Sequence, residues 1–229
     1  MSTFNAYGQK SASFGGHTPI WLGKVRALPT GGTLASGWVK PGLLISAGTP
    51  VNLANDVITP LALFKVVSYS AAGESGTNDT IVIKAAMGYN LPILPAVGDF
   101  IQKLGASFAT QAKAGAVASI AAGETEGQYS IEVAKTANVG SLNAGDILVF
   151  SAAAAAGSSK DMAAQPNGYL YNDIYLDDVK AGESIANQGA TGAVVAFHGE
   201  GILVNRNEIA NEVKDLMKMA VPNVIQVIR

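Results

Sequence analysis

Few residues in this chain have side chains suited to chemistry. There are two histidines, His17 and His198, and no cysteine. Nucleophilic catalysis pairs a Ser, Cys or Thr with a nearby base. His17 sits in GGHTP and His198 at the end of the apolar run AVVAFHGEG, and a histidine at a strand end is more often structural than catalytic. His198 and Glu200 stand two apart, which places both on one face of a strand. A zinc site needs three or four ligands, and no third one is visible. The sequence contains no GxxxxGKS/T phosphate loop, no GxGxxG opening a helix and no EF-hand spacing. Asp177 and Asp178 are adjacent carboxylates without the surrounding ligands of a calcium loop. No carboxylate pair stands out for glycoside hydrolysis. This inventory predicts a protein that is not an enzyme, with no catalytic residue, no metal site and no cofactor.

The run PNGYLYNDIYLDD, 166–178, is different in kind. It holds three of the seven tyrosines in the chain. Read as one strand, its alternation places Tyr169, Tyr171, Asp173, Tyr175 and Asp177 on one face. Leu170, Asn172, Ile174, Leu176 and Asp178 fall on the other, and the Leu/Ile face would pack on the core. Tyrosine offers a large contact area at low entropic cost and is enriched at protein interfaces. It also stacks on sugar rings. The five residues of the first face are therefore candidates for an interface or a host-glycan site. The plain alternative is a sheet face with cross-strand aromatic pairs.

Composition narrows the classes further. Hydrophobic residues make up 48% of the 229 and charged residues 14%, against about 25% charged in ordinary soluble domains. A chain this short of charge stays dispersed through Ser, Thr, Asn and Gly, or hides its surface in an assembly. The net charge is −2, with no basic run, so no footprint for nucleic acid exists. No window approaches the ~18 apolar residues of a membrane helix. The first residues, MSTFNAYGQKSASFGG, lack the apolar centre of a signal peptide and predict a protein that stays in, or is assembled in, a cytoplasm.

The elements that must position these residues read mostly as strands. Short β-branched and aromatic runs lie between Gly, Pro, Asn and Asp clusters. TIVIK (80–84) and YSIEVAK (129–135) alternate as half-buried strands. A turn glycine before an apolar strand start recurs in KPGLLI (Gly42), AVGDFI (Gly98), NAGDIL (Gly145) and KAGESI (Gly182). The intervals of 56, 47 and 37 residues exclude a solenoid period. The Gly98 and Gly145 segments match best: each has a strand, a loop, then Gly-Asp and another strand. They predict a barrel or sandwich built by repeating one strand–turn unit. The Ala-rich run 106–127 is broken by Gly115 and Gly123 and reads as strands and loop. NEIANEVKDLMKMA places Ile209, Val213, Leu216, Met217 and Ala220 on one helical stripe, with Asn205 or Asn207 as cap and Pro222 as stop.

The predicted fold is mainly β, with barrel- or sandwich-like antiparallel sheets, an extended N-terminal arm and one C-terminal helix. The arm covers 1–19 and a β-rich domain covers 20–154. Residues 155–165 form a linker, and 166–229 form a C-terminal β region with a helix at about 207–220.

The stretches PNGYLYNDIYLDDVKAGE and ATGAVVAFHGEGILVNR resemble the head-fibre and auxiliary capsid proteins of tailed bacteriophages, including those of crAss-like and other Bacteroides phages. The matching positions are Pro166, Asn167, Tyr169, Tyr171, Asn172, Ile174, Ala193, Val194, Val195, His198, Gly201 and Leu203. They span about 166–206, under a quarter of the chain. The resemblance implies a structural virion protein on the outer capsid surface, commonly a trimer, bound to the major capsid protein. It implies no catalysis. The chain departs from a head fibre proper in having neither heptads nor a collagen-like repeat, so the resemblance points to the capsid-bound decoration part. Two other readings stay open: a carbohydrate-binding adhesion module using the Tyr169–Tyr175 strand, and a minor shell or tail subunit.

Overall fold

The computed structural model describes residues 21–22, 32–35, 44–45, 47–86, 94–105, 114–134, 139, 141–152, 165–171, 174–175, 195–196, 201–204, 211–220 and 224–227. The expected arm, 1–19, lies outside them. So does the linker, except for Gln165. Among the described residues the fold is mainly β with one short helix near the C-terminus. The first strands are β1 (Trp21–Leu22), β2 (Thr33–Leu34), β3 (Leu44–Ile45), β4 (Pro50–Ala54) and β5 (Val57–Pro60). Six follow: β6 (Phe64–Ser70), β7 (Asn78–Ala85), β8 (Phe100–Lys103), β9 (Ala114–Ala122), β10 (Gln128–Ala134) and β11 (Ile147–Phe150). The rest are β12 (Gly168–Leu170), β13 (Ile174–Tyr175), β14 (Val195–Ala196), β15 (Gly201–Val204), α1 (Asn211–Ala220) and β16 (Val224–Val227).

The chain forms two compact units that are not consecutive in sequence. Ala62–Met87 with Pro92–Gln165 make one, and Met1–Leu61, Gly88–Leu91 and Pro166–Arg229 make the other. Composition alone suggests a division in chain order, 20–154 against 166–229. The strands instead nest, because β12 pairs with β4 across more than a hundred residues.

The 62–165 unit is a closed six-stranded barrel in the order β10-β7-β6-β11-β8-β9. Its lining follows from the register. Phe64 is opposite Leu148, Ile83 is opposite Val66, and Ile81 is opposite Ile131. These residues, with Ile101, Val117 and Val133, are at most 1% exposed, and burial of each stabilises by about 1.5–3 kcal/mol. Phe64 and Phe150 meet edge to face at 5.4 Å.

The barrel is two copies of one three-stranded unit, β6-β7-β8 and β9-β10-β11. Exchanging the copies leaves the strand order unchanged. β7 pairs with its own twin β10, centred on Ile81 and Ile131, and β8 pairs with its twin β11, centred on Gln102 and Val149. The remaining contacts come in matched pairs. The Val66 N–H donates to Asp146 O and the Val117 N–H to Asp99 O, both at 2.8 Å. The Gly145 N–H donates to Val66 O at 2.8 Å and the Gly98 N–H to Val117 O at 2.9 Å. The bulge is repeated too: Val67 in β6 and Ala118 in β9 have no partner in the ladder. A bulge bends a strand and raises its twist, which small barrels need for closure.

The recurring Gly-Asp is a turn. The Asp99 N–H donates to Ala96 O at 3.0 Å and the Asp146 N–H to Asn143 O at 3.1 Å. Gly98 and Gly145 have φ of 94° and 98°. Positive φ at the third position with this bond defines a type II turn, which favours glycine there. Each aspartate then accepts back from the first residue: Asp99 Oδ2 from the Ala96 N–H and Asp146 Oδ2 from the Asn143 N–H, both at 2.8 Å.

Among the described residues, the other unit holds three sheets, β14-β12-β4-β5-β2, β1-β15-β16 and β13-β3. The expected antiparallel pairing holds for most of them. The β2–β5 and β15–β16 pairs are parallel. β4 and β5 form a hairpin through Asn55 and Asp56, both at positive φ (50° and 61°), as a type I′ turn requires. In α1, Val213, Leu216 and Met217 are buried while Asp215, Lys218 and Met219 are exposed, the amphipathic pattern read from the sequence. The cap candidates Asn205 and Asn207 lie outside the described residues.

Candidate functional site

The tyrosine run does not form one strand. β12 ends at Leu170 and joins β4 and β14, whereas β13 begins at Ile174 and pairs with β3 in another sheet. A single period-2 face from Tyr169 to Asp177 is therefore not formed. Tyr169 is fully buried, as is its neighbour Leu170. The expectation that one side of the strand packs inward and the other presents tyrosines fails at Tyr169. With β4 on one flank, β14 on the other and Trp21 against its ring, Tyr169 is a core residue. Tyr171 is half-buried, and Tyr175 lies in β13 opposite Leu44. Asp173 and Asp177 lie outside the described residues, as do His17, His198 and Glu200.

Tyr169 and Tyr171 do converge on Trp21, a residue the sequence does not mark. The Trp21 ring stacks on Tyr171, with centroids 6.1 Å apart and planes at 23°, and meets Tyr169 edge-on at 6.1 Å and 75°. Its Nε1–H donates to Tyr171 O at 2.9 Å. In the strand register Trp21 lies opposite Leu203 in β15. Such ring pairs contribute about 0.5–1.5 kcal/mol beyond their burial. Trp21 and Tyr171, both half-buried, form a small aromatic ledge able to present ring surface to an apolar or planar partner group.

Asn167 anchors the approach to β12. Its backbone N–H donates to Val51 O at 2.9 Å. Its side chain reads Leu53 as a strand would: Oδ1 accepts from the Leu53 N–H at 2.8 Å and Nδ2 donates to Leu53 O at 3.0 Å. The Gly48 N–H donates to Leu170 O and the Leu170 N–H to Thr49 O, at 2.7 and 2.9 Å.

The barrel carries its own polar features. Lys103 Nζ donates to Asp146 Oδ2 at 2.7 Å. Partial burial alone would push the Asp146 carboxyl up. The Asn143 N–H and the Lys103 ammonium outweigh it and hold Asp146 below its ordinary value. Tyr69 is pushed up by burial and by Asp79, whose Oδ2 accepts from the phenol at 3.2 Å. The Gln102 amide is fully buried, and neither its oxygen nor its nitrogen has a hydrogen-bond partner. No cluster of three or more metal-ligating side chains occurs among the described residues, and no helix there is long and apolar enough to cross a membrane. No family model, curated protein or solved structure matches the chain.

Proposed function

We propose that the chain is a structural virion protein that binds the outer surface of a phage head as an auxiliary, decoration-type component through the major capsid protein. One observation carries this reading. Several residues behind the family resemblance help to tie the 1–61 and 166–229 segments into one unit. Asn167 clamps Leu53, Tyr169 pairs with Pro50, Ile174 pairs with Ile45, and Leu203 pairs with Trp21. The resemblance then bears on residues that hold a folded unit together, and a stable folded unit is what a surface-binding role needs. The low charge of the chain supports the same reading, because large complementary interfaces are depleted of charge at their centre.

The test is sedimentation of the purified chain with heads that lack it. Saturable co-sedimentation, with a trimer by light scattering, is the expected result. A chain that stays monomeric and remains in the supernatant at every head concentration contradicts the proposal.

A further inference from the structure

We infer that the work is divided between the two units: attachment to the head belongs to the 1–61/166–229 unit, and the barrel is a displayed module that attachment does not need. This rests on the function proposed above. Three observations argue for it.

The first is where the chain leaves and returns. Val51 in β4 pairs with Pro60 on one side and Gly168 on the other. The exit at Leu61 and the re-entry at Pro166 therefore adjoin the two strands that flank a single central strand, and those two strands are about 10 Å apart.

The second is that this junction is held by bonds from its own unit. The Leu61 N–H donates to Pro50 O at 2.8 Å, and the Asn167 backbone and side chain hold Val51 and Leu53. These bonds hold the strands on either side of the insertion in register from within their own unit.

The third is the distribution of sheet edges. Proteins that bind by adding strands need an edge with free N–H and C=O groups. The barrel is closed, so each of its strands has a neighbour on both sides and it offers no edge. Among the described residues, the edge strands β2, β14, β1, β16, β3 and β13 all belong to the other unit. The Trp21–Tyr171 ledge lies there as well.

The experiment uses the full chain with Ile81→Asp and Ile131→Asp together. These two side chains face each other at the twin strand pair and are fully buried, so the double change opens the barrel. Amide hydrogen exchange is read alongside co-sedimentation. Barrel amides should lose protection while β4, β5 and β12 keep theirs, and affinity for heads should change by less than about tenfold. Loss of protection in β4, β5 and β12 together with the barrel overturns the independence of the units. Retained protection there with binding lost overturns the assignment of attachment. A wild-type chain that does not bind heads overturns the proposed function itself, and the exchange data then still report whether the units are independent.

Discussion

Gln102 and Val149 occupy the same place in the two copies of the barrel unit, yet only Gln102 brings an amide into a fully buried site. Its twin demonstrates that an aliphatic side chain suits the position. A buried polar group without a partner costs about 1–3 kcal/mol, so Gln102→Val is expected to raise the melting temperature of the barrel; a lowered one contradicts this account of the site. Gly98 and Gly145 give a paired prediction. A Cβ at either meets nothing within 4 Å, so alanine there is penalised by the positive φ alone. Each substitution should cost about 1 kcal/mol, and by similar amounts, as measured in denaturant. Asp146 sets a pH dependence. Its folded pKa lies below the unfolded one, so its contribution is present above the unfolded value and is lost as pH falls through the folded value. The stability gap between wild type and Asp146→Asn should close below about pH 4. The Lys103–Asp146 pair is part-exposed, so its share stays under about 1 kcal/mol.

Elements differed in how far their sequence betrayed them. The Gly-Asp turns were legible because their chemistry is local: four residues supply the positive φ, the closing bond and the carboxylate acceptor. With alternation in TIVIK and YSIEV, they suffice to predict a repeated strand–turn unit in a β-barrel or sandwich. The tyrosine run misleads for a physical reason. Alternation tells which residues share a face while a strand lasts, but not where the strand stops or which sheet it joins. The break between Leu170 and Ile174 and the burial of Tyr169 depend on pairing with β4, β14 and Trp21, all distant in the chain. Trp21 had no signal beyond being one of two tryptophans. The Asn55–Asp56 hairpin did have one, an Asn-Asp pair between apolar runs, which a search for turn glycines and prolines does not single out. Asn167 offers the test at this scale. Asn167→Leu leaves the Leu53 N–H and C=O without their partners and should cost about 1–3 kcal/mol, seen as faster amide exchange in β4 and β12 with the barrel strands unchanged.

At the scale of the molecule, a closed barrel of two twinned three-stranded units is inserted into a unit assembled from the 1–61 and 166–229 segments. Residues 155–165 read as a linker between consecutive domains, but compositional punctuation cannot reveal that β4 and β12 are neighbours. Nested units with separate cores predict two unfolding steps by calorimetry, and Gln102→Val should move only the barrel step. The central claim, that this chain coats a phage head, is tested most directly by cryo-electron microscopy of heads with and without saturating chain. The account predicts added density repeated over the capsid lattice, into which the β4–β12 unit fits against the shell. Identical reconstructions with and without the chain would contradict it.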